Sequence, residues 1–269
     1  MATSTSTEAL STAYHSLRNA FSSSDYEKCL SLLPQLKLAL LHNNALLPSP
    51  TTPLPTLLAA RDILELAALT SIHVSDGAAF ARYFAQLAPF YEDARLGRSE
   101  MRNRVVGLQL LLLLSQNSIA EFHTLLETLE MEGAQNGGRP EDDVYVRYPV
   151  MLERWLMEGS YDKVWEATRG GKVPSEEYAL FSTVLVGTIR NEIASCSERA
   201  YTSIPISNAK NLLFLESEGA VIEFARERGW LVKDSRIWFP SEEGDKEVLN
   251  SESIIENTLG YARELETIV

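Results

Sequence analysis

From Leu10 to Ala200 the apolar residues of this chain recur at helical spacing. Only one later stretch, Arg228–Pro240 (RGWLVKDSRIWFP), reads as β, with WLV and RIWFP on either side of a turn-like KDS. A chain written this way is mainly α and has room for one small sheet near its end. With 269 residues it is long enough to bury a sizeable core.

Residues 1–8 are a polar Ser/Thr tail and are expected to be disordered. The next stretch, SSSDYEKCLSLLPQLKLALL, opens with Ser24 as the expected N-cap and Glu27 three residues on, the capping-box pattern. Pro34 permits a kink or a break there. LLPSPTTPLP (Leu46–Pro55) is too rich in proline to be anything but a loop. Helical blocks follow at about 56–75, 77–88, 98–115 and 118–130, and then a Gly-rich, charged loop, Glu132–Asp143. The run VVGLQLLLLL (Val105–Leu114) is too short to span a bilayer and reads as a buried helix. SDYEKCL (Ser24–Leu30) and GSYDKVW (Gly159–Trp165) share one grammar: small or polar residues, then Tyr, an acid, Lys and an apolar residue. Two copies give no fixed period, but they suit helix pairs stacked in a right-handed, TPR-like helical-repeat array over residues 9–200. The last long helix starts after Ser175. It carries Phe181, Leu185, Ile189, Ile193, Cys196 and Ala200 on one stripe, which makes Cys196 an expected buried thiol.

The order in residues 201–240 is an extended piece (Thr202–Pro205), helix, turn, helix, hairpin, which is the order of a winged helix. The hairpin is the wing. Its last strand, Arg236, Ile237, Trp238 and Phe239, is expected to form a sheet edge open to another chain, although Trp238 or Phe239 also suits a core. Residues 241–253 are an acidic linker. In 254–269 the residues Ile255, Leu259, Ala262, Leu265, Ile268 and Val269 form one helical stripe. A helix this short is marginal alone, so its apolar face packs either on its own chain or in a bundle made by other subunits.

Net charge is -13, which disfavours nucleic acid. The candidate recognition helix holds Glu218, Glu223 and Glu227 beside Arg226 and Arg228, and so has no basic face. The two cysteines, Cys29 and Cys196, lie in no metal spacing and fit a reducing compartment. His15, His42, His73 and His123 sit in separate segments, and none has a second ligand at helical spacing. RGGKVP (Arg169–Pro174) lacks the first glycine and the Ser/Thr of a phosphate loop. The expectation is no catalytic residue, no cofactor, no metal and no membrane partner.

A helical array feeding a winged helix and then a C-terminal helix is the PCI architecture. EGSYDKVWEA, TIRNEIASCSERAY, ISNAKNLLFL, RERGW and YARELETIV make residues 145–269 resemble one PCI family. That family groups a 26S proteasome lid subunit, the small COP9 signalosome subunit and the K subunit of eukaryotic initiation factor three. The proteasome member is the nearer match. The loops at 47–55 and 133–140 depart from the pattern. The resemblance implies a non-enzymatic assembly subunit of the proteasome regulatory particle lid, in cytoplasm and nucleus. Its implied partners are other PCI-containing lid subunits and, through assembly, base ATPase subunits. Arg236, Ile237, Trp238 and Phe239 would meet a neighbour's sheet, and the stripe from Ile255 to Val269 would enter a helical bundle. The rival readings are a subunit of a sister complex, against which YARELETIV speaks, and a nucleic-acid-binding winged helix.

Overall fold

The computed structural model describes residues 2–136, 139, 142–169 and 173–239, with side chains from residue 11 to 134 in the first stretch. The chain divides into two compact units, the first ending at Ile189 and the second starting at Arg190.

The first unit is helical: α1 (Ala2–Ser22), α2 (Tyr26–His42), α3 (Leu54–His73), α4 (Gly77–Glu92), α5 (Arg102–Ser115), α6 (Ile119–Asn136), α7 (Val144–Met157), α8 (Tyr161–Arg169) and the start of α9 (Glu176–Ala200). Helices pair along the chain, α1 on α2, α3 on α4, α5 on α6 and α7 on α8, and α3 and α5 also touch each other and further helices. That explains their sequences. Every residue of α5 from Val105 to Ser115 is buried, so VVGLQLLLLL is apolar all round because helices surround it. Gly107 and the buried Gln109 interrupt that run, and Gly107 is required: a Cβ there would collide with the Tyr178 hydroxyl and the Tyr145 carbonyl. The Tyr178 hydroxyl lies 3.1 Å from the Arg104 carbonyl oxygen and 3.2 Å from that of Tyr145, within donating distance of both.

One turn recurs at the four pair junctions. Ser24, Ser75, Asn117 and Gly159 each take a positive φ, 58°, 61°, 58° and 70°. Each donates its N–H three residues back, and the next residue donates five back, to Ala20, Ser71, Leu113 and Trp155 respectively. This pair of bonds caps the preceding helix and reverses the chain. The likeness of SDYEKCL to GSYDKVW is therefore structural. SDGAAFA and NSIAEFH hold the same turn under sequences that do not advertise it.

Local readings need correction. The N-cap of α2 is Asp25, whose carboxylate accepts from Lys28 N–H, because Ser24 is used in the left-handed turn before it. Asp76 caps α4 the same way. Pro34 lies inside a continuous α2. The helix α1 starts at Ala2, within the stretch expected to be a disordered polar tail, because the Ser/Thr run continues the turns that lead into the buried Leu17 and Ala20. α6 continues to Asn136, into the stretch expected to be a loop.

The second unit holds the rest of α9, β1 (Ser203–Pro205), α10 (Ile206–Leu212), α11 (Glu218–Glu227), β2 (Leu231–Lys233) and β3 (Arg236–Trp238). Ile193, Ala194 and Ser197 are buried on α9 while Cys196 is exposed. The buried stripe steps from Ile193 to Ser197 by four residues, which leaves Cys196 on the outer face. The expected buried thiol is thus a surface thiol.

Candidate functional site

The feature that stands out for partner binding is the small sheet of the second unit. Its hairpin forms because Asp234 and Ser235 both adopt positive φ, 52° and 58°, the two-residue turn whose twist matches the flanking strands. Lys233 then stands opposite Arg236, Val232 opposite Ile237 and Leu231 opposite Trp238. The first strand adds on the other side of β3, with Ser203 opposite Trp238, Ile204 opposite Ile237 and Pro205 opposite Arg236. The strand order is β1-β3-β2, all antiparallel.

This order corrects the sequence reading of the edge. The strand Arg236–Trp238 is central, with its main chain paired on both sides, so it offers no edge to another chain. Side-chain alternation shows why. Ile237 is 0% exposed, and Ile204 must stand beside it to share the inner face, which draws β1 onto β3. The Phe239 N–H donates to the Thr202 carbonyl at 3.2 Å and extends that pairing. The sequence marks three extended pieces but carries no sign of which side the first takes.

The free edges are β2 and β1, and they differ. Every residue of β2 is exposed, Leu231 at 62% and Val232 at 37%. The residues that flank a two-residue turn bond to each other, so Lys233 bonds to Arg236, and the N–H and C=O of Val232 point outward. On β1 the outward-pointing residues are Ser203 and Pro205, and Pro205 has no N–H to give. Sheet extension is therefore open at β2 and blunted at β1.

A clamp holds the start of β2. Gly229, at φ 76°, ends α11 and turns the chain toward the strand. Trp230 follows, and its indole N–H donates to Glu198 at 2.7 Å. Phe224 and Phe239 meet its ring edge-on, with centroids 5.7 and 4.8 Å away. Arg228 donates to Glu198 at 3.2 Å, to Ser195 at 3.3 Å and to the Asn191 carbonyl at 3.0 Å. Arg228 is the candidate recognition helix's second arginine, and these bonds occupy its guanidinium. Arg190 donates to the Leu213 carbonyl at 3.0 Å and fixes the end of α10.

The sequence-derived partner residues thus separate. Arg236 and Trp238 are exposed on the outer face of the sheet, Trp238 at 44%; Ile237 is core, and Phe239 is half-buried on Trp230. Ile255, Leu259, Ala262, Leu265, Ile268 and Val269 lie outside the described residues. Leu231, Val232 and Lys233, the actual edge, show in the sequence only as half of the hairpin. Among the described residues no group of His, Cys, Asp and Glu could hold a metal ion, and no helix is long and apolar enough to cross a membrane. His73 stacks on Tyr26 at 4.2 Å, and His123 lies 3.4 Å from Glu153.

The profile of the CSN8/PSMD8/EIF3K family matches residues 100–248, from α5 through the hairpin. The 26S proteasome regulatory subunit RPN12 of Saccharomyces cerevisiae is 37% identical to the chain over 269 residues, covering 94% of this chain and 97% of its own. The chain belongs to the CSN8/PSMD8/EIF3K family. The 26S proteasome non-ATPase regulatory subunit 8 homolog A of Arabidopsis thaliana is 38% identical, covering 97% of both chains. Schizosaccharomyces pombe rpn12, another 26S proteasome regulatory subunit, is 36% identical over 94% of this chain. These relatives extend over the N-terminal helix pairs as well, so the likeness of this family member to them is not confined to the sheet. The mainly helical fold agrees with that membership.

Proposed function

We propose that this chain is a non-catalytic structural and assembly subunit of the lid of the 26S proteasome regulatory particle. It would act in ubiquitin-dependent protein degradation in cytoplasm and nucleus. The observation that carries this is near-full-length similarity to named proteasome regulatory subunits of two yeasts and a plant. In this reading the helix pairs form the TPR-like array, and α10, α11 and the three strands form the winged helix of a PCI module. Neighbouring PCI subunits of the lid would be the partners, with base ATPase subunits joining through assembly.

The mechanism is coupled docking at two places. A neighbour's strand adds to β2, the edge with an outward N–H and C=O, while the clamp at Trp230 keeps that edge preformed. The stripe Ile255, Leu259, Ala262, Leu265, Ile268 and Val269 enters a bundle of partner helices and orders only when they exist, which makes incorporation conditional on earlier assembly. Leu259→Asp and Leu265→Asp test this in cells: each is expected to leave the chain folded and to abolish its incorporation into 26S particles. Normal incorporation of both variants contradicts the mechanism. The charge on α11 and the engaged Arg228 speak against the nucleic-acid reading.

A further inference from the structure

The helices α2, α4, α6 and α8 each follow the same left-handed turn as the second member of a pair, so their outward faces can be compared. The exposed positions of α4 hold alanine, Arg82 and Glu92, and those of α8 hold only charged residues. On α6 they are mostly Glu, Thr and Ala, with Met131 as the one large apolar side chain. The outward face of α2 is written differently. Leu30, Pro34, Leu38 and Leu41 are all exposed, Leu38 at 58% and Leu41 at 55%. At 3.6 residues per turn these four fall within one arc about 80° wide and about 17 Å long. Leu47, just beyond the helix, is exposed as well. A single exposed leucine is ordinary, but a row of them marks a contact surface.

The charge along this row has one sign. The chain holds 37 acidic residues, yet none occurs from Lys28 to Arg61. Asp25 and Glu27 stand at the start of α2, and the rest of the helix carries Lys28, Lys37 and His42. The Lys37 ammonium is set beside the row, 4.3 Å from the centre of the Tyr83 ring of α4. Lys28 is exposed around the other side of the helix. A net charge of -13 repels an acidic partner from the chain as a whole, so a face without carboxylates decides where one can settle.

We propose that the outward face of α2 docks an amphipathic helix of another protein, one whose apolar stripe is flanked by Asp and Glu. Leu30, Pro34, Leu38 and Leu41 receive its apolar side chains over about three turns, and Lys28 and Lys37 meet its carboxylates. The inference rests on α2 and not on which complex the chain joins.

The test is made in cells with the full chain carrying photoreactive p-benzoylphenylalanine in place of Leu38. Irradiation is expected to join it to a peptide of another protein, read by mass, whose Leu, Ile or Val recur every three or four residues with Asp or Glu alongside. The same group in place of Ala85 on α4 is the control and is expected to give no such product. Lys28→Gln with Lys37→Gln is expected to lower the yield at least threefold, with circular dichroism and melting checked alongside. Lys28→Glu, at an exposed site, should lower it too without touching Tyr83. A joined peptide lacking that pattern, a peptide of this chain, a lipid adduct, or a yield no higher than at Ala85 would overturn the proposal. So would a yield that the lysine changes leave untouched.

Discussion

At the scale of single residues, the first unit is held by a few polar groups whose burial makes them decisive. Glu177 is buried and accepts from the Arg104 guanidinium, from the Ser175 hydroxyl at 2.7 Å and from His73 Nε2 at 3.2 Å. Burial alone would raise its pKa, but the Arg104 and Ser175 hydrogen bonds outweigh that and lower it to about 2. A folded pKa below the unfolded one means that this stabilisation is complete above about pH 4.5 and drains away as pH falls toward 2. Glu65 works in the opposite sense. Burial raises its pKa, and hydrogen bonds from Ser99 and Tyr91 offset that only in part, so its contribution favours the fold at low pH and is lost as pH rises through the raised value. Denaturant unfolding at pH 7 and pH 3 separates the two effects. Between those pH values the natural chain should lose on the order of 2 kcal/mol more than Glu177→Gln, and equal losses would show that Glu177 plays no such part. Gly107→Ala tests packing: the Tyr178 hydroxyl and the Tyr145 backbone leave no room, and a loss of about 1–3 kcal/mol is expected in the same unfolding measurement. These residues are not legible in the sequence. Glu177 and Arg104 are 73 positions apart, and a glycine inside a leucine run does not say what will press against it.

At the scale of elements, periodicity is a sound guide and boundaries are less so. The spacing of leucines places α2 to α5, because helical burial has a period that a sequence displays. The junctions are harder. Ser24 and Asp25 are both good caps by type, and only the backbone decides that Ser24 takes the left-handed turn and Asp25 the cap. The same turn recurs with Ser75, Asn117 and Gly159, so one geometry is written with three residue types. The hairpin is legible down to its turn, yet the strand order is not, since pairing between β1 and β3 is fixed by the shared inner face of Ile204 and Ile237. Val232→Pro follows from that order. It removes the outward N–H of the open edge and none of the bonds to β3, because Val232 and Ile237 do not exchange hydrogen bonds. The variant should keep its circular dichroism and melting behaviour while binding to neighbouring lid subunits falls at least tenfold. Undiminished binding would show that the β2 edge is not used.

At the scale of the whole molecule, charge, family and composition point one way. A net charge of -13 and an engaged Arg228 leave little for phosphate, and near-full-length similarity joins the chain to proteasome regulatory subunits. Strings such as RERGW and ISNAKNLLFL make that family legible in the sequence itself, because they lie at the helix ends and turns that set the sheet. Which surfaces are used is less legible, since it depends on strand order and on which side chains stay exposed. The decisive measurement for membership of the lid is a pull-down from lysate of the source cells. It compares the full chain with a version ending at Ser251 and identifies the partners by mass. The full chain is expected to capture proteasome lid and ATPase subunits, and the shortened chain to lose them. Capture of a different complex by both versions would contradict a place in the lid and docking through the C-terminal stripe.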